Sequence, residues 1–459
     1  MIIKNNFPNN IERKRIQTLR KYEKLHDNDQ ESVLLLHDLI KKQFSKQTDI
    51  IYLSHAIPSR ISEFYSDFVQ GDSYRMAINV INGEAEEKII QEIVETNDII
   101  EKIGDYAYNQ SEYGFEVLLG YIDEKGKFRI QIVPKEQYFP QSDGSVIFAT
   151  YIFDPTDSNT ATAERAKLLY TQHYYIDGED VKIERKLWEI NDEGRAEKET
   201  SLERANITAE PLETIDGLGR LPIQQIDNGR QTSWGFGKSD YADIMPQLQE
   251  VNERRTHIST QLLKNLDAKM QLPALDSLKT DDGKIKQFEY LMVEKEDKDA
   301  KFILNDNPLV EATEKHVENQ LKFISWVTAI PMFELLKSAM PERVDAMRIQ
   351  LFGAIRKSQK KRAKISKGIK EMIKIGYKML QNKELEKDIE IKFSDVIPTD
   401  EQVEVEVESA KINNGLSSRR SAMKRLDNFT EEELDAELEL IKEENINSGA
   451  VNPNNPPQF

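Results

Sequence analysis

The feature that most constrains this chain is a narrow apolar stripe in its second half. Tyr241, Ile244, Leu248, Val251, Ile258, Leu262 and Leu266 recur at spacings of three, four or seven residues. That spacing puts them on one line of a helix whose remaining surface is polar. From Ser239 the pattern holds for about 30 residues, or roughly 45 Å of helix. Pro246 lies near its first turns and is expected to kink the helix without ending it. A helix this long and this sparsely apolar cannot close a core alone, so it needs a partner of similar length. One is present. A second helix opens at Asn307-Pro308, a preferred N-cap followed by a preferred first-turn residue, carries Val310, Val317, Leu321, Ile324 and Val327, and stops at Ile330-Pro331. Between the two, QLPALDSLKTDDGKIKQFEYLMVEKEDKDAKFIL reads as two or three short strands with a turn at Thr280–Gly283. Two long helices flanking a small module predict an antiparallel stalk with a tip.

The stretch GFGKSD, Gly235–Asp240, precedes the first of these helices and has the Gly-Lys-Ser step of a phosphate-binding loop. Such a loop requires an earlier glycine, so that a full turn of backbone N–H groups wraps the phosphates, and a buried strand before it. The position that should hold that glycine is Thr232, and Ile226–Trp234 reads as a polar loop. Without that glycine and strand the segment is no nucleotide site. Ser239 is expected to act as a helix N-cap, with Asp240 and Asp243 complementing the positive end of the dipole.

The first half of the chain mixes helices and strands. Ile16, Leu19, Tyr22 and Leu25 define one helical face, and Ile57, Ile61, Phe64, Tyr65 and Phe68 another that ends at Gly71. A further helix is expected over about Glu86–Gln110, then a hairpin around Asp123–Gly126 and strands at SVIFATYIFD, LLYTQHYYI and VKIERKLWEI. This order predicts an α+β body with an antiparallel sheet. After the stalk, a third helical pattern runs from about Pro341 to Gln381, and its stretch Arg356–Lys378 holds ten Lys or Arg against one acid, Glu371. IEIKFSDVIP then reads as an edge strand. An acidic helical end with Leu434, Leu438 and Ile441 on one face follows, and the polar tail 446–459 is expected to be disordered.

Composition removes several function classes. With no cysteine, thiolate metal sites and cysteine nucleophiles are excluded. The six histidines are scattered, without the clustering of a metal site. The N-terminus lacks an apolar signal core and no run approaches a membrane span, so a chain made in the cytoplasm with no membrane partner is expected. A net charge of −18 argues against a sequence-reading DNA binder, whose affinity comes from neutralising phosphates. Asp281-Asp282 and Glu431–Glu433 are adjacent acids of the kind found in turns and on helix surfaces. No catalytic, cofactor or metal residue is therefore assigned, and the chain is not expected to be an enzyme.

The order of these elements, with several local sequences, resembles the portal (head-to-tail connector) proteins of tailed bacteriophages, of the type common in siphophages of Gram-positive hosts. Tyr113-Gly114-Phe115-Glu116-Val117 before a hairpin, Leu221-Pro222-Ile223 before Asp227-Asn228, and Gly237-Lys238-Ser239-Asp240-Tyr241 leading to Asn252 are similar to the family's pattern. IKFSDVIPTDEQ and NNGLSSRRSAMKRL ahead of an acidic helix agree as well. No single motif is diagnostic; their collinear order over about residues 15–445 carries the resemblance. One departure is visible: the family often has a Tyr-Tyr-x-Gly step after its first helix, where this chain has Tyr22-Glu23-Lys24-Leu25.

The resemblance implies a homo-oligomeric ring, usually of twelve subunits, at one capsid vertex of the virion. Its fold would be an α+β wing (1–238), long antiparallel stem helices (239–270 and 307–330), a small α/β clip (271–306), a tunnel loop (331–342), a kinked tunnel helix with a return strand (343–399) and a helical crown (400–445). Double-stranded DNA would pass through the channel without sequence specificity. The clip, with Lys279, Asp281, Asp282 and Lys284, would meet the terminase large subunit and then head-completion or tail adaptors; major capsid and scaffolding proteins are the other partners. Met332, Phe333, Lys337, Ser338, Met340 and Arg343 would face the channel at the tunnel loop. The basic face Arg356, Lys360, Lys364 and Lys367 is open to two roles, contact with DNA or with acidic surface on the next subunit. Twelve copies at −18 each carry about −216, a charge that repels the duplex and lets it slide. The competing reading is a helical scaffold or other structural assembly protein of a phage particle without a DNA channel, which accounts for the helices but not for the α+β half.

Overall fold

The computed structural model describes residues 7–28, 53–71, 76–81, 83–155, 167–232, 235–265, 269–273, 290–293, 301–303, 308–331, 344–394, 401–426 and 431–447. Helix α1 (Asn10–Asp27) opens with a capping box: Asn9 Oδ1 accepts from the Ile11 and Glu12 amides, and Glu12 Oε2 accepts from the Asn9 amide at 2.6 Å. It buries Leu19, Tyr22 and Leu25. Helix α2 (Ile57–Gln70) buries Ile61, Phe64, Tyr65 and Val69 and ends at Gly71. After strand β1 (Ala77–Val80) come α3 (Glu84–Thr96) and α4 (Ile103–Tyr113).

The single helix expected over Glu86–Gln110 is thus two helices. Asn97 ends the first one. Its side-chain amide donates to Ile93 O and Phe128 O and its Oδ1 accepts from the Ile130 amide at 2.7 Å, so a neighbouring strand holds the break open. Asp98 follows with φ +50°.

Strands β2 (Phe115–Ile122) and β3 (Phe128–Ile132) form the expected hairpin, and with β10 (Ile223–Asp227) on the other side of β2 they make a three-stranded antiparallel sheet. A larger antiparallel sheet runs β4 (Tyr138–Pro140), β5 (Val146–Phe153), β6 (Lys167–Asp177), β7 (Asp180–Ile190) and β8 (Ala196–Thr200). The eleven residues of β7 carry two partners on one edge, β9 (Leu212–Ile215) at Val181–Glu184 and β8 at Leu187–Ile190. Val146–Ala149 are buried on both faces of this sheet. Ile147 and Ala149 join a cluster with Phe7, Phe139, Leu169, Trp188 and Ala196, while Phe148 meets Tyr138 and Tyr174 on the opposite side.

The stalk helices are α5 (Met245–Asn265) and α6 (Pro308–Thr328), 21 residues each. Glu250 lies against His316 and Arg255 against Glu314, so the two run antiparallel. Helix α5 opens at Met245, six residues after the expected Ser239, because Ser239–Ile244 forms tight turns, with Ala242 N donating to Ser239 O and Ile244 N to Tyr241 O. Pro246 consequently occupies the first turn, where its missing N–H is no loss, and not a kink. Between the helices, β11 (Lys269–Pro273) pairs in parallel with β12 (Tyr290–Val293) and antiparallel with β13 (Lys301–Ile303); the expected turn at 280–283 lies outside the described residues.

Helix α7 (Val344–Gln381) continues for 38 residues. It lies across the β10–β2–β3 sheet at glycines. A Cβ on Gly368 would stand 2.5 Å from Ile226 Cδ1, and one on Gly376 would stand 2.5 Å from Phe128 Cδ1. Strand β14 (Ile389–Lys392) returns to pair with β1. The chain divides into two compact units, residues 1–70 with 78–391, and residues 71–77 with 392–459. The second holds α8 (Glu401–Asn413), α9 (Arg419–Leu426) and α10 (Glu431–Asn447), where Ala422 and Leu434 are buried and Arg420 pairs with Asp435 at 2.7 Å.

Candidate functional site

The Gly-Phe-Gly-Lys-Ser-Asp loop is a structural joint. Gly237 packs so closely on Gly114 that a Cβ would lie 2.1 Å from the Gly114 carbonyl oxygen, and its amide donates to Asp227 Oδ1 at 2.9 Å. The Lys238 ammonium, which would have to meet phosphate in a nucleotide site, pairs with Asp243 at the surface. Ser239 Oγ accepts from the Tyr241 amide at 3.1 Å and donates to Ser111 O, so it caps a turn and ties it to α4.

Asp240 turns inward, contrary to the expected role at a helix dipole. Its carboxylate accepts from Ser111 Oγ at 2.8 Å and from Asn228 Nδ2 at 2.9 Å, and two lysines of α7 close on it, Lys357 at 3.0 Å and Lys361 at 3.1 Å. Burial alone would raise its pKa; the two ammonium groups and the Asn228 amide overcome that and hold it well below the usual carboxylate range. The Lys361 side chain is 2% exposed, faces Asp240 off the line of a hydrogen bond and rests over the Tyr65 ring. Burial pulls its pKa down to about 8, against the opposing pull of Asp240. Lys357 also donates to Thr328 O, which accepts from the Tyr65 hydroxyl too. One acid therefore clamps the end of α6, helix α2 and helix α7 together.

The phase of α7 divides the basic run in two. Lys357 and Lys361 point to Asp240, Arg362 donates to Phe68 O and Val69 O, Lys374 pairs with Glu371, and Lys378 with Glu384. Arg356, Lys360, Lys364 and Lys367 are exposed, and none makes an ion pair among the described residues. At steps of four, four and three residues they form one line of roughly 16 Å. Its upper end is apolar. The Arg356 guanidinium sits over the Phe352 ring, Phe352 is 59% and Ile349 77% exposed, and Gly353 packs on Ala329, one turn beyond Trp326, which is 78% exposed. At its lower end Lys364 and Lys367 line a cleft of about 430 Å³ with Gln224, Gln225, Asp227, Arg230 and Gln231, the Asp227 carboxylate accepting from Gln225, Gln231 and the Gly237 amide.

Sequence reasoning named the outward face Arg356, Lys360, Lys364 and Lys367 but missed that Lys357 and Lys361 turn inward to Asp240, and it missed the exposed Trp326. Trp326 had a signal: it falls off the apolar line Val317–Leu321–Ile324, so a helix using that line must expose it. The expected channel residues Met332, Phe333, Lys337, Ser338, Met340 and Arg343 and the expected clip residues Lys279, Asp281, Asp282 and Lys284 lie outside the described residues, as does the tail beyond 447. Among the described residues no group of His, Asp and Glu side chains is arranged to hold a metal ion, and no helix is long and apolar enough to cross a membrane.

A family model described as phage portal protein, SPP1 Gp6-like, matches residues 7–449. No curated protein matches the chain in sequence. Among solved structures, it is similar to a chain from the neck of an empty gene transfer agent particle of C6 symmetry, with TM-score 0.46 and 10% identity over 85% of this chain and 92% of that one. A chain from the neck of the native particle, of C12 symmetry, gives TM-score 0.37 and 10% identity over 85% and 92%. One from the native gene transfer agent virion gives 0.37 and 10% over 84% and 98%.

Proposed function

The chain belongs to the phage portal protein family of the SPP1 Gp6-like type, and from this premise we propose that twelve copies close into a ring around the path of double-stranded DNA. As a portal protein it is a structural component of the virion at the capsid vertex, the conduit for DNA, in a family that is not enzymatic. The family match over residues 7–449 is the observation that carries the reading. The antiparallel α5–α6 pair supports it: each helix buries one narrow line within the subunit and keeps a second face for a neighbour. The clip 271–306 would dock the terminase large subunit and then the adaptors. The loop 331–342 would line the narrowest part of the channel, with Lys337 and Arg343 touching phosphates while Met332, Phe333 and Met340 pack between copies. The chain alone would neither bind nor hydrolyse ATP, the motor chemistry residing in the terminase.

Mass measurement and negative-stain imaging of the purified protein test this directly. Closed rings of about ten to fourteen subunits are expected; a protein that stays monomeric at every concentration and salt would sink the proposal. Shortening residues 336–339 should leave rings intact and impair packaging or retention of DNA. Loss of folding or of rings on that deletion would show the segment to be core and not channel lining.

A further inference from the structure

We propose that the outward strip formed by Trp326, Phe352, Arg356, Lys360, Lys364 and Lys367 is the face on which the next copy of this chain seats, an inference that rests on the ring reading and names its interface. Three observations favour a second copy. First, the four outward cations of helix α7 make no ion pair among the described residues, whereas Lys357, Lys361, Arg362, Lys374 and Lys378 of the same run each meet a carboxylate or a carbonyl. In a chain of −18, uncovered cations confined to one line find their counterions most readily on another copy of so acidic a protein. Glu95, Glu101 and Asp105, exposed on and after α3 and without an ion pair among the described residues, are acids of the kind required.

Second, the cationic line does not end in water. It continues through Phe352, over which Arg356 lies, to Ile349 and, across the Gly353–Ala329 contact, to Trp326. A tryptophan 78% exposed, packed on the half-exposed Phe323 ring, and an isoleucine 77% exposed on the neighbouring helix are surface that water covers badly. A phosphate backbone would satisfy the cations and leave this apolar end uncovered; a protein surface with an apolar core and an acidic rim covers both. Third, the strip is unlike anything that could pair with itself, since four cations set against four cations repel. The contact is therefore heterologous, strip to acidic face, the kind of interface that closes a ring.

The test uses the full chain. Trp326→Ser combined with Lys360→Glu and Lys364→Glu should raise the concentration for half-maximal ring formation by about tenfold or more, with circular dichroism unchanged. The milder Lys360→Gln, Lys364→Gln, Lys367→Gln variant should still form rings, at higher protein concentration and with less dependence on salt than the parent. Because only one of two unlike faces is spoiled, the charge-reversed variant mixed with the parent should cap growing arcs and reduce closed rings below what dilution predicts. Rings forming from both variants at the parent's concentration would overturn the proposal. So would normal rings that have lost DNA retention, which would give the strip to DNA. A parent that never forms rings would sink the portal reading itself, a different result from a parent that does beside variants that do too.

Discussion

Asp240→Asn isolates the charge of the buried clamp while keeping its shape. The amide oxygen still accepts from Ser111 or Asn228, but Lys357 and Lys361 face each other with no counter-charge, the second of them 2% exposed. Removing one partner of a buried pair costs about 3–5 kcal/mol, because the remaining charge stays desolvated. Lys361→Met should be much milder, about 1 kcal/mol or less, since it leaves a one-to-one Asp240–Lys357 pair and adds packing over Tyr65. Urea unfolding at pH 7, with hydrogen exchange at the 357–362 amides to localise the loss, measures both. The pH dependence has a definite sign. Lys361 is pulled down to about 8 in the folded chain, against about 10.4 for a free lysine. Between those values the unfolded chain holds a proton that the folded chain has released, so stability rises as pH increases from about 8 towards 10. Lys361→Met should lose that rise. The Asp240→Asn deficit should also narrow between pH 7 and 9, as the uncompensated ammonium sheds its proton. A deficit below about 1 kcal/mol at pH 7, or a Lys361→Met cost equal to that of Asp240→Asn, would refute the clamp.

Glu116→Ala strands the Lys135 ammonium, which is 6% exposed and 2.6 Å from the carboxylate, and should cost about 3–5 kcal/mol by urea unfolding. Burial raises the Glu116 pKa against the pull of Lys135, so the parent's stability from this group falls as pH rises through the raised value, and the variant should lack that slope. Gly376→Ala would drive a methyl to 2.5 Å from the rigid Phe128 ring and should cost about 1–3 kcal/mol, seen as a lowered Tm; Phe128→Leu in the same chain should recover part of it. Lys238→Ala removes only a surface pair with Asp243, so it should change stability by about 0.5 kcal/mol or less. Calorimetric titration of ATP should give no heat of binding with either protein.

What was legible in the sequence followed from periodicity. The buried lines Tyr241–Ile244–Leu248–Val251 and Val317–Leu321–Ile324 and the hairpin at Asp123–Gly126 each announce themselves within about ten residues, and each forms. The elements that differed were decided by distant partners. Nothing near Asn97 requires a break; the break exists because Phe128 O and the Ile130 amide lie within reach of its side chain. Nothing near Asp240 distinguishes a dipole-complementing acid from a clamp; two lysines more than a hundred residues later do. The basic run is the intermediate case. Ten cations in 23 residues look alike in composition, yet a helix turns about 100° per residue, so Lys357 and Lys361 lie on one side and Arg356, Lys360 and Lys367 on another, with Lys364 between them at the exposed margin. A sequence can give those phases but not which of them meets Asp240. Once one is fixed inward, the other is fixed outward, together with Phe352 and Ile349. The clamp and the outward strip are thus set by one rotation of one helix. A change that loosened Asp240 would also turn the strip away from its neighbour, so Asp240→Asn should weaken ring closure as well as folding, although the Asp240 side chain is only 6% exposed and lies on the inward side of the helix.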